Sequence, residues 1–324
     1  MMMKRRSFLT TSLATAAVAT MPKFCFAAPD KSLKVWAPPA IPAIVLSVLK
    51  HNSKNPVEFE LYKGPDMLRA GLASNSMPLL LTPTYVAANF YNHGTNLRML
   101  DLVTNGFFYI MSRDKNLHNI EELSGKKITV IHLKNTMPDN VLRVLLQAAK
   151  IEDKVEVFNV PSSNEAMTMF LNKQIDTCLI VEPQASVIAA KAKATGDEVF
   201  YSMDIQQEWG RLFNTAPSIP MVSLVTEHHF YEENREAIQE LRKNLADAVS
   251  WTKQNISKAA EFGQKDLWPK FTLPVLENAL THGYLTFESP DKYKENLLFY
   301  YDKLYQLNPK LIGGKIPNDD FFKV

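Results

Sequence analysis

The feature that most constrains this chain is an alternation of short strand-type and helix-type runs that is met twice. Strand-type runs stand at 33–37, 57–62, 79–82, 97–103 and 107–112, with helix-type runs at 41–51, 66–75 and 85–93 between them. The 57–62 run alternates strictly between apolar and polar residues, as a half-buried strand does. Gly94 gives the 85–93 helix an ordinary C-terminal stop. After a turn at 123–127 the pattern restarts, with strands expected at 128–132, 155–160, 175–181 and 199–203 and helices at 139–150, 164–172 and 185–195. Val141, Leu142, Leu145 and Ala149 share one face of the 139–150 helix. Such alternation implies mainly parallel, doubly wound sheets, and two blocks imply two α/β lobes. The 324 residues agree, since a domain takes about 150. Beyond about 222 the chain reads as mostly helical. Ile238, Leu241, Leu245, Val249, Thr252 and Ile256 keep helical spacing, and further helices are expected at 276–282 and 291–306, the latter capped by Ser289 with Pro290 in its first turn.

The N-terminus reads as an address. Lys4-Arg5-Arg6-Ser7-Phe8-Leu9 opens a weakly apolar run to Met21, followed by Lys23 and the small-residue pair Cys25 and Ala27. A basic start, a short apolar middle and small residues before a cut make an export signal over 1–27. The twin arginines, the hydroxyl-rich middle and Lys23 favour the twin-arginine route over the general one. The expected mature protein is soluble and periplasmic. The segment removed carries four bases and no acid, so the formal charge of +2 for the whole chain becomes −2 without it. No basic patch is left to suggest nucleic acid or anionic lipid.

Composition excludes other classes. Apolar residues at 46% and charged residues at 22% are those of a globular chain rather than a disordered one. Two Cys, at 25 and 178, exclude a disulfide framework and a cysteine-based metal site. Cys178 sits in an apolar run and reads as a small buried hydrophobe. The seven His do not pair at the spacing of a helical metal site, so no metal and no cofactor are expected. Nucleophile-elbow, phosphate-loop and dinucleotide motifs are missing, so no catalytic residues are assigned.

Doubly wound sheets bind ligands beyond the C-terminal ends of their strands, near helix N-termini. That rule selects five loops: 37–40 with Pro38 and Pro39; 62–65 with Tyr62 and Lys63; 82–85 with Thr82, Thr84 and Tyr85; 134–139 with Lys134, Asn135 and Thr136; and 182–184 with Glu182. Proline stiffens these turns and bares neighbouring N–H groups. Tyr62 and Tyr85 are candidates to stack on a flat ligand. Asn135 and Thr136 are candidate hydrogen-bond donors, and Glu182 a candidate acceptor for ligand N–H groups. The competing reading makes the hydroxyls and amides helix caps and the aromatics packing residues.

Three passages resemble the substrate-binding proteins of ABC importers of the nitrate/sulfonate/taurine type, a family that includes thiamine-precursor and riboflavin binders. They are Leu123-Ser124-Gly125-Lys126-Lys127-Ile128-Thr129-Val130, the stretch from Asn164-Glu165-Ala166 to Gln174-Ile175-Asp176, and Ile180-Val181-Glu182-Pro183-Gln184-Ala185. The resemblance implies a two-lobed periplasmic binding protein fold of the two-crossover type. Lobe one would hold 29–110 and 222–324, lobe two 111–221, and hinges would fall near 112–113 and 218–221. A small ligand would be captured in the cleft by a monomer and passed to an ABC permease in the inner membrane. Lys63 and Lys134 are the only bases in the selected loops, which suits a small anion less well than Tyr62, Tyr85, Asn135 and Glu182 suit a planar heterocycle. Trp209 is added to that set. An enzymatic alternative, the thiamine-pyrimidine synthases that resemble this family, requires a Cys-Cys-Cys-Phe-Cys motif that this chain lacks.

Overall fold

A computed structural model describes residues 33–53 and 57–323. The export-signal reading concerns residues 1–27 and lies outside them. Eleven strands are described: β1 (Lys34–Ala37), β2 (Glu58–Leu61), β3 (Leu79–Pro83), β4 (Leu97–Thr104), β5 (Phe108–Ser112), β6 (Lys127–Ile131), β7 (Glu156–Val160), β8 (Thr177–Val181), β9 (Phe200–Asp204), β10 (Val222–Glu227) and β11 (Leu285–Glu288). They form two sheets. One has the order β11-β4-β10-β3-β1-β2 and the other β7-β6-β8-β5-β9. Burial follows this order. The central β3 and β10 are buried almost throughout, as strands covered on both faces must be, whereas edge strand β2 alternates exposed and half-buried residues.

The expectation of mainly parallel sheets needs correcting. β1 pairs parallel with β2 and β3, and β6 with β7 and β8. However, β10 runs antiparallel between β3 and β4, β11 runs antiparallel to β4, and β5 runs antiparallel to β8 and β9. The stretch after 222 begins with a strand at the centre of the first sheet, not with a helix. Periodicity in one short apolar run does not distinguish a buried strand from a helical segment. The helix Ile205–Phe213 is a further element outside the expected helix-type runs.

The chain passes between the sheets at 105–107 and returns at 214–221. These two passages lie side by side: the Ile219 N–H donates to the Asn105 carbonyl at 2.9 Å, and the Met221 N–H to the Thr104 carbonyl at 3.1 Å. Ser112 lies inside β5, so the first passage precedes the hinge position expected at 112–113. Gly106 has φ +146°, and a β-carbon there would sit 2.1 Å from the Gln206 side chain. Gln206 needs that space, because its amide brackets Phe108, accepting from the Phe108 N–H and donating to its carbonyl, both at 3.2 Å.

Two buried groups stand out in the sheets. Asp101 in β4 accepts from Arg242 Nε at 2.6 Å and Nη2 at 2.8 Å, docking the long helix Arg235–Gln254. Cys178 is fully buried in β8, and burial pushes its thiol up, so it packs as an inert hydrophobe. No described helix is long and apolar enough to cross a membrane.

Candidate functional site

A cavity of about 400 Å³ opens between the two sheets. Its walls are loops at the C-terminal ends of parallel strands, where helix N-termini converge. The first-sheet side supplies Pro38, Pro39 and Ala40 after β1, Tyr62, Gly64, Leu68 and Arg69 after β2, and Pro83, Tyr85 and Val86 after β3, with Val222 at the start of β10. The second-sheet side supplies Phe107 and Phe108 at the passage, His132, Thr136, Met137 and Pro138 after β6, Ser162, Ser163 and Asn164 after β7, and Val181, Glu182 and Gln184 around the end of β8.

Of the residues selected from sequence, Pro38, Pro39, Tyr62, Tyr85, Thr136 and Glu182 line this cavity. Tyr62 is buried and its hydroxyl donates to the Leu81 carbonyl at 3.3 Å. Tyr85 is half-buried. Burial pushes its hydroxyl up to about 12, against the pull of Arg69 and of the Met137 backbone opposite. The Thr136 hydroxyl donates back to the Leu133 carbonyl at 2.7 Å.

The other selected residues lie elsewhere. Lys63 and Lys134 are exposed and off the lining. Asn135 is an exposed turn residue with φ +66°, and its N–H donates to the buried Asp139 at 2.9 Å. Thr82 is buried within β3 beside the Tyr62 hydroxyl. The Thr84 hydroxyl donates to the Pro220 carbonyl at 2.7 Å, stitching the start of helix Thr84–Asn92 to the return passage. Trp209 is fully buried, with its ring 4.8 Å from Phe213, 5.8 Å from Tyr300 and 6.2 Å from Phe299. It is a packing residue where helix Ile205–Phe213 meets helix Pro290–Leu307. A tryptophan in a run of mixed polarity gives no sign of which side of a helix faces the partner.

The sequence reading missed the β7 loop. Ser162 caps helix Ser163–Leu171, accepting from the Glu165 N–H at 3.2 Å, and its loop completes the wall. A serine at the end of an expected strand, three residues before a glutamate, was the available signal. Arg69 was also missed. It brings a guanidinium to the lining from inside helix Pro65–Ala73, beyond the loop where binding residues were sought. His132, with φ +64°, follows β6, and burial lowers its imidazole. Gln184 also lines the cavity, and its Oε1 is buried with no hydrogen-bond partner among the described residues.

Glu182 is the most constrained residue of the wall. It is 1% exposed and precedes Pro183 through a cis peptide bond. Its Oε2 accepts from the Ser186 hydroxyl at 2.7 Å and the Ser186 N–H at 3.2 Å, and its Oε1 accepts from the Tyr201 hydroxyl at 2.9 Å. Burial raises the carboxyl above the usual glutamate range, and the Ser186 and Tyr201 bonds oppose that rise. Among the described residues no group of His, Cys, Asp and Glu is arranged to hold a metal ion.

Comparison with known proteins places this geometry. The model of the NMT1-like family matches residues 79–263, more than half of the chain. No curated protein matches by sequence. Among solved structures, an ABC transporter protein from Parabacteroides distasonis superposes with a TM-score of 0.74 at 16% identity, covering 91% of this chain and 99% of its own. The periplasmic aliphatic sulphonate binding protein SsuA of Escherichia coli gives 0.66 at 17% identity, covering 88% and 92%. The periplasmic nitrate-binding protein NrtA of Synechocystis PCC 6803 gives 0.63 at 14%, covering 89% and 86%. The two mixed sheets, with the chain crossing twice between them, are the periplasmic binding protein fold.

Proposed function

This chain belongs to the NMT1-like family, and we propose that it is an extracytoplasmic solute-binding protein, not an enzyme, that captures a small molecule between two lobes and delivers it to an ABC permease. The observation that carries this reading is the cavity of about 400 Å³ whose walls come from strand-end loops of both sheets. That volume lies in the range of small-molecule sites. Movement of one sheet relative to the other would open or close such a cavity about the paired passages. Lobe one in this reading holds 29–110 and 222–324, and lobe two 111–221. The 1–27 export signal delivers the protein to the periplasm, where it works as a monomer.

The ligand favoured by the lining is an organic molecule with a flat ring. Tyr62, Tyr85, Phe107 and Phe108 supply aromatic surface, while Thr136, Gln184 and Glu182 supply a few polar contacts. The exposed Lys63 and Lys134 lie off the lining, which weakens a small-anion reading. That second reading draws support from Arg69, from the helix N-termini around the cavity, and from the sulphonate and nitrate binders among its structural neighbours.

The test is direct. The protein is purified from periplasm, and any small molecule that comes with it is identified by mass spectrometry. Protein stripped by unfolding and refolding is then screened by thermal shift against pyrimidines, flavins, sulfonates and nitrate. A true ligand raises the transition as RT ln(1 + [L]/Kd). Neither a co-purified molecule nor a shift with any compound would defeat the reading.

A further inference from the structure

Behind the cavity wall, a hydrogen-bonded cluster joins the two sheet regions. On the second-sheet side are Glu182, Ser186 and Tyr201. On the other side is Asn278, on helix Leu273–Thr281, which leads through His282 into β11 of the first sheet. Asn278 Nδ2 lies 2.9 Å from the Ser186 hydroxyl oxygen and 3.2 Å from that of Tyr201. The His282 ring stacks on Tyr201 with centroids 5.0 Å apart and planes 9° from parallel. The Tyr109 hydroxyl donates to the His282 carbonyl at 2.8 Å.

The direction of these bonds matters. A hydroxyl has one proton to give. The carboxylate of Glu182 takes the protons of both Ser186 and Tyr201. Both hydroxyls then offer only lone pairs to their other neighbours, including each other at 3.2 Å. A side-chain NH2 group, with two protons and no acceptor, is the group that satisfies both. Asn278 presents one. When Glu182 is ionised, its carboxylate therefore sets the polarity of an acceptor pair that the opposite side reads with an amide.

We propose that Asn278 is a positioning residue that couples the Glu182 carboxylate in the cavity wall to closure of the two lobes, by donating into hydroxyls whose orientation that carboxylate dictates. Anything in the cavity that draws on the carboxylate changes how firmly Ser186 and Tyr201 hold their lone pairs toward Asn278. The proposal rests on the reading of the cavity as a ligand site, but its test uses no ligand.

The test is small-angle scattering of the purified protein without added ligand. A compact chain of this length has a radius of gyration of about 20 Å. Asn278→Asp sets carboxylate oxygens against two lone pairs, and its radius of gyration is expected to rise above the wild-type value with an unchanged circular dichroism spectrum. Combining it with Glu182→Gln lets the new amide donate to one hydroxyl, which can then turn its proton toward position 278. The double variant is expected to return toward the wild-type radius. A structural contact indifferent to polarity would not be rescued this way. If Asn278→Asp does not fold, Tyr201→Phe and Asn278→Ala decide the matter by the same readout, each expected to raise the radius. An unchanged radius in the folded variants, or an absence of rescue by Glu182→Gln, overturns the proposal. Failure of the ligand screen leaves these radii as they are, so the two readings fail separately.

Discussion

Two of the contacts between the two sheet regions differ in character. Around Trp209 the contact is apolar: Trp209 and Phe213 pack on Phe299 and Tyr300, and Trp209 is fully buried. Around Glu182 the contact is polar: hydroxyls of Ser186 and Tyr201 meet the amide of Asn278. Separating the first exposes apolar surface and costs free energy that water does not return. Separating the second exchanges protein hydrogen bonds for hydrogen bonds to water, at a small net cost. The difference teaches where motion belongs. In the lobe-closure reading proposed above, the apolar junction suits a permanent pivot, and the polar one, next to the cavity, suits a contact made and broken on each cycle.

The largest expected effect that tests this contrast comes from the pivot. Trp209→Ala should lower stability by about 3–5 kcal/mol, as truncation of a buried aromatic does. Urea denaturation measures it, and a loss below about 1 kcal/mol would mean that the junction is not a shared core. At the polar junction, Tyr201→Phe keeps the ring stacked on His282 but removes one proton from Glu182. A loss of about 1–3 kcal/mol is expected, because a buried carboxylate oxygen loses its partner. A double-mutant cycle with Asn278→Ala should then show coupling, whereas strict additivity would separate Asn278 from the cluster.

A smaller effect is a pH dependence. Burial raises the Glu182 carboxyl in the folded state, and His282 opposite pulls it down only in part. The folded protein therefore holds this proton to higher pH than the unfolded chain does. Stability from this group is greatest at acid pH and falls as pH rises through the ordinary glutamate range toward the raised value. Buried Asp101 is raised too and adds a slope of the same sign. Glu182→Gln should flatten the pH profile of the melting temperature by its own share and leave that of Asp101 in place. Profiles of equal slope would show that Glu182 is not perturbed. The smallest effect is expected at Lys63 and Lys134. Their replacement by Ala should leave a ligand-induced thermal shift unchanged, since both are exposed and off the lining. A lost shift would return the site to a small-anion chemistry.

The loops around the cavity were legible because strand ends before helix starts can be read locally. Pro38, Tyr62, Tyr85, Thr136 and Glu182 were found by that rule and all line the cavity. It overreached where side chains inside a selected loop turn away, as Thr82 does within β3, Thr84 toward the return passage and Asn135 toward solvent. It fell short at Arg69, one turn inside its helix, while Trp209, added to the candidates outside that rule, packs against helix Pro290–Leu307. Neither case has a signature in nearby residues.

Sequence alone determined the repeated strand–helix pattern, and with it the class of fold and the edges at which a ligand would be held. Those features depend on the local spacing of apolar residues, on turns and on caps. Tertiary structure decided that β10 enters the first sheet antiparallel between β3 and β4, that Trp209 packs between two helices away from the cavity, and that Asn278 reaches Ser186 and Tyr201. These depend on partners far apart in the chain, and no local pattern records which of many exposed amides or buried rings will meet.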